Sequence, residues 1–186
     1  MNLDKVHLLG HSRGGAVALN VAKRNPDLIR SLILADASGL ETLLPQSPEI
    51  QKLAAEALVY RETLAKALAA GEIDRGVQVW FDSLNGSGAW SRLAAERKQI
   101  IFDNLGTALK PERRPEAQCA DIARIDFPVL LLNGERSPMR YPAMFAAMRK
   151  CKEFAAPIVI PNAAHGMFRD NPTAFEAVVI DFLSRH

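Results

Sequence analysis

Gly10-His11-Ser12-Arg13-Gly14 sets a single hydroxyl between small residues, at the point where one apolar run stops and the next begins. The spacing G-x-S-x-G, with strand texture before it (Lys5 to Gly10) and helix texture after it (Arg13 to Arg24), is that of a nucleophile elbow. Such a turn strains the serine backbone, so small residues are expected two positions to either side. Gly10 and Gly14 supply that space, and Gly15 lets the helix lie close. The helix that follows aims N–H groups and a positive dipole end at the place where an oxyanion would form. A serine is a weak nucleophile without an adjacent base, which a carboxylate must orient. His165, in PNAAHGMFRDNP, is the candidate base, placed in a short loop between the last strand and the final helix. The plain alternatives are a glycine-rich turn with a capping serine and a surface histidine.

These residues must be carried by a framework, and the chain alternates strand and helix texture. Strands are expected at Lys5 to Gly10, Ser31 to Ala35, Phe127 to Asn133 and Pro157 to Pro161. Helices are expected at Arg13 to Arg24, about Pro142 to Lys152 and Pro172 to Ser184. The pattern favours an α/β fold with a parallel sheet. Between Pro48 and about Ile125 the texture is helical throughout, broken at NGSG (Asn85 to Gly88), Lys110-Pro111 and Arg114-Pro115. The expected organisation is an α/β core from 1–45 and 126–186 with a helical insert over 46–125.

With 186 residues, 48% of them hydrophobic, the chain is long enough for one core that buries roughly 70% of the unfolded surface. Lys and Arg (23) nearly balance Asp and Glu (21), which argues against nucleic acid or a membrane surface as partner. MNLDKVHLLG lacks the apolar stretch of a signal peptide, so a cytoplasmic location is the default expectation. Cys119 and Cys151 carry no metal-ligand spacing, and free buried thiols are expected rather than a disulfide or zinc site.

GHSRGG, LILAD, the helical insert, FPVLLLNGE and AAHGMFRDNP together resemble the α/β-hydrolase family, in its group with a helical cap, over essentially the whole chain. The resemblance implies Ser12 as nucleophile, His165 as general base and the backbone N–H of Arg13 as one oxyanion donor, with His11 lining the site. It leaves the acid open. The family's usual position, three residues after Gly134, holds Ser137, which cannot carry a charge opposite an imidazolium. Some relatives place the acid after the preceding strand, which here is Asp36; Glu135 is the alternative. The resemblance also implies that the sheet is the half containing strands five to eight. The family's first strands and their oxyanion loop would then be missing, Met1 being a fragment's start, a misassigned start or a true end.

The cap is expected to shape the pocket, with Trp80, Phe81, Trp90, Phe102, Met139, Met144 and Met167 as candidate lining and Trp80, Trp90 and Met167 preferred. Each is equally a core residue by type. The expected function is an esterase-like serine hydrolase acting on a small ester, lactone or related acyl substrate through an acyl-enzyme, with no cofactor and no metal. A serine at the elbow argues against the members of this fold that use an aspartate there. The isolated chain is expected to be weakly active or inactive and to self-associate through its open strand edge. The competing expectation is a non-catalytic half-sheet interaction module or truncated pseudoenzyme.

Overall fold

A computed structural model describes residues 4–106 and 116–186; the expected helix breaks at Lys110-Pro111 and Arg114-Pro115, and Met1, lie outside the described residues. In chain order the elements are β1 (Val6–His11), α1 (Arg13–Arg24), β2 (Ile29–Ala35), α2 (Pro48–Ala69), α3 (Ile73–Asn85), α4 (Ala95–Asp103), α5 (Cys119–Ala123), β3 (Val129–Gly134), α6 (Arg140–Cys151), β4 (Ile158–Ile160), α7 (Met167–Asp170) and α8 (Pro172–Arg185). The strands form one parallel sheet in the order β1-β2-β3-β4. Each strand connects to the next through a crossover, which is why the strands are parallel and their C-terminal ends share one edge.

The chain forms two compact units, one of Met1–Ile50 with Arg114–His186 and the other Gln51–Arg113. In the first, β2 and β3 are buried on both faces, as their unbroken runs SLILA and VLLLN require. Leu32 and Leu34 face α1 and α6 in a cluster with Leu19, Ile122, Phe145 and Met148. Ile33 and Leu132 face the other way, toward Ile160, Met167 and Phe182. Residues after 116 already belong to this unit, since Ala117, Ile122 and Ile125 pack in the first cluster.

The second unit has its own core of Leu64, Val77, Phe81, Trp90 and Leu105. Asp82 organises the NGSG turn, accepting the backbone N–H groups of Gly88 at 3.0 Å and Trp90 at 2.7 Å.

The cysteines depart from expectation. Cys119 and Cys151 form a disulfide, with Cα atoms 5.1 Å apart and a sequence separation of 32. They are also not buried thiols: Cys119 is exposed and Cys151 half-buried. The reason is tertiary. α5 packs against α6, which brings the first residue of one helix to the last residue of the other, a juxtaposition that two cysteines so far apart in sequence do not announce.

Among the described residues no helix is long and apolar enough to cross a membrane.

Candidate active site

Ser12 stands between β1 and α1 with φ 54° and ψ −122°. Positive φ is costly for a residue with a Cβ, and here the surroundings impose it. The Ser12 N–H donates to the Ala35 carbonyl at 3.0 Å, and the Ser12 carbonyl accepts from the Gly15 N–H at 2.9 Å and the Ser38 N–H at 3.0 Å. The turn also needs two glycines. A Cβ on Gly10 would lie 2.7 Å from Gly15 Cα and 2.8 Å from Ala18 Cβ, and one on Gly15 would lie 2.8 Å from Ala37 Cα. Gly14 departs from expectation, because it is exposed and a Cβ there meets nothing within 4 Å. The crowding runs back from the turn toward β2, while Gly14 points to solvent.

Asp36 follows β2 directly, with φ 39° and no solvent exposure. Its buried carboxylate is fully engaged. Oδ1 accepts from Asn133 Nδ2 at 2.8 Å, and Oδ2 accepts from the Ser137 hydroxyl at 2.5 Å and from His165 Nδ1 at 3.1 Å. Charge-assisted bonds of this kind are what make a buried carboxylate tolerable. Donation from Nδ1 fixes the His165 tautomer and leaves Nε2 with its lone pair.

His165 is 5% exposed and held between two rings. Tyr141 stacks on one face, with centroids 4.5 Å apart and planes 10° apart; His11 lies against it at 4.5 Å and 40°. His11 Nε2 donates to the His165 backbone carbonyl at 2.7 Å. Burial, and secondarily the neighbouring His165, hold the His11 pKa down to about 4. Tyr141 Oη lies 3.4 Å from His165 Nε2. Burial pushes this phenol's pKa up, so it is a neutral hydroxyl.

Glu135 is exposed and serves the histidine's loop rather than its ring. Its Oε2 accepts the Asn162 N–H at 2.7 Å, while Arg136 donates through Nη2 to the Asn162 carbonyl and through its backbone N–H to the Ala163 carbonyl, each at 2.8 Å. The pair fastens the 161–166 loop to the end of β3. Arg13 is the first residue of α1.

The remaining predicted lining residues sit in cores or on the surface. Met167 and Met144 are buried in the first unit, and Met139 is exposed. Trp90 is 2% exposed inside the helical unit, its rings edge-on to Phe81 and Phe102 and its Nε1 donating to Asp74 at 3.2 Å. Trp80 and Phe102 pack half-buried around it.

The structure thus brings Ser12, Asp36, His165 and His11 together, and leaves Glu135 out of that cluster. Sequence reasoning missed three polar participants. Asn133 and Ser137 support Asp36; a serine in the family's usual acid position was the available signal. Tyr141, in the unremarked stretch MRYP, had none. Among the described residues no group of three or more His, Cys, Asp or Glu side chains converges as metal ligands would.

Comparison with known proteins agrees with this architecture. A pimeloyl-[acyl-carrier protein] methyl ester esterase of Neisseria meningitidis is 30% identical over 178 residues, covering 95% of this chain and 68% of its own length. An (E)-2-((N-methylformamido)methylene)succinate hydrolase of Acinetobacter baylyi is 27% identical over 173 residues, covering 89% of this chain and 60% of its own. The crystal structure of carboxylesterase CesB (YbfK) from Bacillus subtilis superposes with TM-score 0.73 at 19% identity, over all of this chain and 62% of that one. The chain therefore spans about two thirds of the length of the relatives it matches. The model of the alpha/beta hydrolase family matches residues 2–178, and with the strand order, the strained turn and the converging residues described above, the chain belongs to the alpha/beta hydrolase family.

Proposed function

We propose that the chain carries the catalytic side chains of an esterase-like serine hydrolase, with Ser12 as nucleophile, His165 as general base and Asp36 as the acid that orients it. The observation that carries this reading is the 3.1 Å contact between His165 Nδ1 and a buried Asp36 carboxylate, set beside a serine at positive φ. In this mechanism Ser12 Oγ attacks the acyl carbon as its proton moves to His165 Nε2, and Asp36 stabilises the imidazolium. The imidazolium then protonates the departing alkoxide. Water, activated by the same imidazole, releases the acid. The Arg13 backbone N–H is the proposed donor to the tetrahedral oxyanion. No residue of this chain is given the role of the second donor, which the family draws from a loop preceding the nucleophile strand.

The substrate class proposed is a small ester, lactone or related acyl compound. It rests on the serine nucleophile and on the names of relatives, two of which are called an ester esterase and a hydrolase. The four strands are read as the second half of the family's sheet, and the helical unit as its cap. A cytoplasmic location remains the proposal. Self-association is proposed as well, because β1 lies at the sheet edge with Leu9 43% exposed. That open edge is also what favours the second reading, an interaction module without turnover.

A fluorophosphonate probe separates the two. The esterase reading expects covalent labelling of Ser12 that Ser12→Ala abolishes. A folded chain that takes no label, or one that is labelled equally with alanine at position 12, overturns it.

A further inference from the structure

Arg140 has no place in the mechanism above, yet its guanidinium stands close to the imidazole nitrogen on which that mechanism turns. Nη2 donates to Tyr141 Oη at 3.0 Å, and the same oxygen lies 3.4 Å from His165 Nε2. The other imidazole nitrogen faces Asp36, so a reacting ester has to lie in the neighbourhood of Nε2. The guanidinium carbon is 4.7 Å from the Tyr141 ring centroid, and that ring is 4% exposed and stacked on the imidazole with planes 10° apart. A cation is thus fastened to the base through a single ring.

The charge on Arg140 is uncompensated. It is half-buried, and no carboxylate of the described residues forms an ion pair with it. The other charged groups around the histidine are committed to one another. Asp36 holds Nδ1 and has Asn133 and Ser137 on its oxygens. Arg169 lies against Gly166 and pairs with Asp170 at 2.9 Å, while Asp170 also accepts the Ala164 N–H. Glu135 accepts the Asn162 N–H. Arg140 therefore brings to the site a positive charge that the surrounding carboxylates do not balance, on a group built to donate several hydrogen bonds.

We infer that Arg140 is a binding residue for a carboxylate on the substrate, so that the esters this site takes are half-esters of short dicarboxylic acids. This rests on the serine-hydrolase reading and names its substrate class. A guanidinium presents its N–H groups at the spacing of the two carboxylate oxygens. Nη2 and Nε2 are at most two hydrogen-bond lengths apart, so only a few bonds can separate the reacting ester from the carboxylate. One guanidinium balances one negative charge, which fits a carboxylate better than a phosphate monoester carrying nearly two. Arg140 binds and orients; the bond making and breaking stay with Ser12 and His165.

The test compares monomethyl succinate with dimethyl succinate, which differ at pH 7 by a methyl group and a negative charge. Ligand-observed NMR titrations give the Kd of each for the whole chain carrying Ser12→Ala, so that neither ester is turned over. The monoester is expected to bind about 10- to 100-fold more tightly, the worth of one charge-assisted hydrogen bond. Adding Arg140→Gln, which can still donate to Tyr141 Oη but has no charge, should erase that preference, and Arg140→Lys should keep part of it. Equal binding of the two esters overturns the carboxylate site without recourse to any Arg140 variant, and so does a preference that survives Arg140→Gln. Fluorophosphonate labelling of the unaltered chain tests the underlying reading separately. If Ser12 takes no label, the serine-hydrolase reading falls and the substrate class falls with it; a labelled Ser12 without the preference removes the carboxylate site alone.

Discussion

The Ser137 hydroxyl donates to Asp36 Oδ2 at 2.5 Å, from a position on the β3–α6 loop where the family usually keeps its acid. On the proposed assignment the acid stands at the end of β2, and the family's usual position supplies its hydrogen-bond donor. Asp36→Asn is expected to lower the labelling rate of Ser12 by about 10³- to 10⁴-fold, because an amide leaves the imidazole in the wrong tautomer, while Glu135→Gln changes it little. Ser137→Ala removes one charge-assisted bond of about 1.5–3 kcal/mol, which urea unfolding would read as lost stability. Ser137→Asp puts two carboxylates within contact and is expected to be worse than either alone. Combined with Asp36→Asn, it should recover part of the lost labelling. Full labelling in Asp36→Asn alone would overturn the assignment of the acid.

His11 makes the fold sensitive to acid. The folded state keeps this ring neutral down to about pH 4, whereas the unfolded chain protonates it near 6.5. Between those values the unfolded state binds more protons, so stability falls as the pH drops from 6.5 to 4. At about 1.4 kcal/mol per pH unit the loss reaches about 3 kcal/mol. His11→Gln can still donate to the His165 carbonyl and does not titrate. Urea denaturation at pH 7 and pH 4.5 should show a smaller difference for the variant than for the parent, and equal differences would assign the acid sensitivity elsewhere.

The two glycines after the nucleophile differ in what they tolerate. Gly15→Ala drives a methyl into Ala37 and is expected to destabilise the fold by about 1–3 kcal/mol, the usual range for overpacking. Gly14→Ala meets open space and, lying inside α1, should be neutral or stabilising by up to about 1 kcal/mol. Thermal unfolding of the pair decides it, and equal losses would show that the motif's second glycine is also sterically required.

Val6 and Leu8 of β1 pack toward the first cluster, but His7 and Leu9 on its other face are exposed, and the strand lies at an edge of the sheet. Its unpaired backbone groups favour addition of another strand. Sedimentation velocity is expected to show concentration-dependent association that Leu9→Lys reduces. A concentration-independent monomer would mean that this edge does not pair.

Much of this was legible because it is local. The run before Gly10 predicts a strand ending at Gly10, and the structure ends it at His11; α1 has the expected bounds, Arg13–Arg24. Strand ends moved by a residue or two where hydrogen bonding, not hydrophobicity, sets the limit, as in β4, expected over Pro157 to Pro161 and found at Ile158–Ile160. The approach of His165 to Asp36 follows from a parallel sheet whose strand ends share an edge. What was not legible depends on side chains meeting across long stretches of chain. Trp90 is an aromatic residue whose sequence context is the same whether it lines a pocket or fills a core, and only its neighbours Phe81 and Phe102 decide. Tyr141 and the cysteine pair are of the same kind.

The Cys119–Cys151 bond closes a covalent ring that takes in α5, β3 and all of α6. Asn133, Ser137 and Tyr141 are inside the ring; Ser12, Asp36 and His165 are outside it. Whatever redox surroundings the chain meets, the acting groups keep their own backbone attachments, and only the platform that braces them gains or loses a tether. Reducing the bond would therefore loosen only the segment that carries Asn133, Ser137 and Tyr141, the side chains that brace Asp36 and stack on His165.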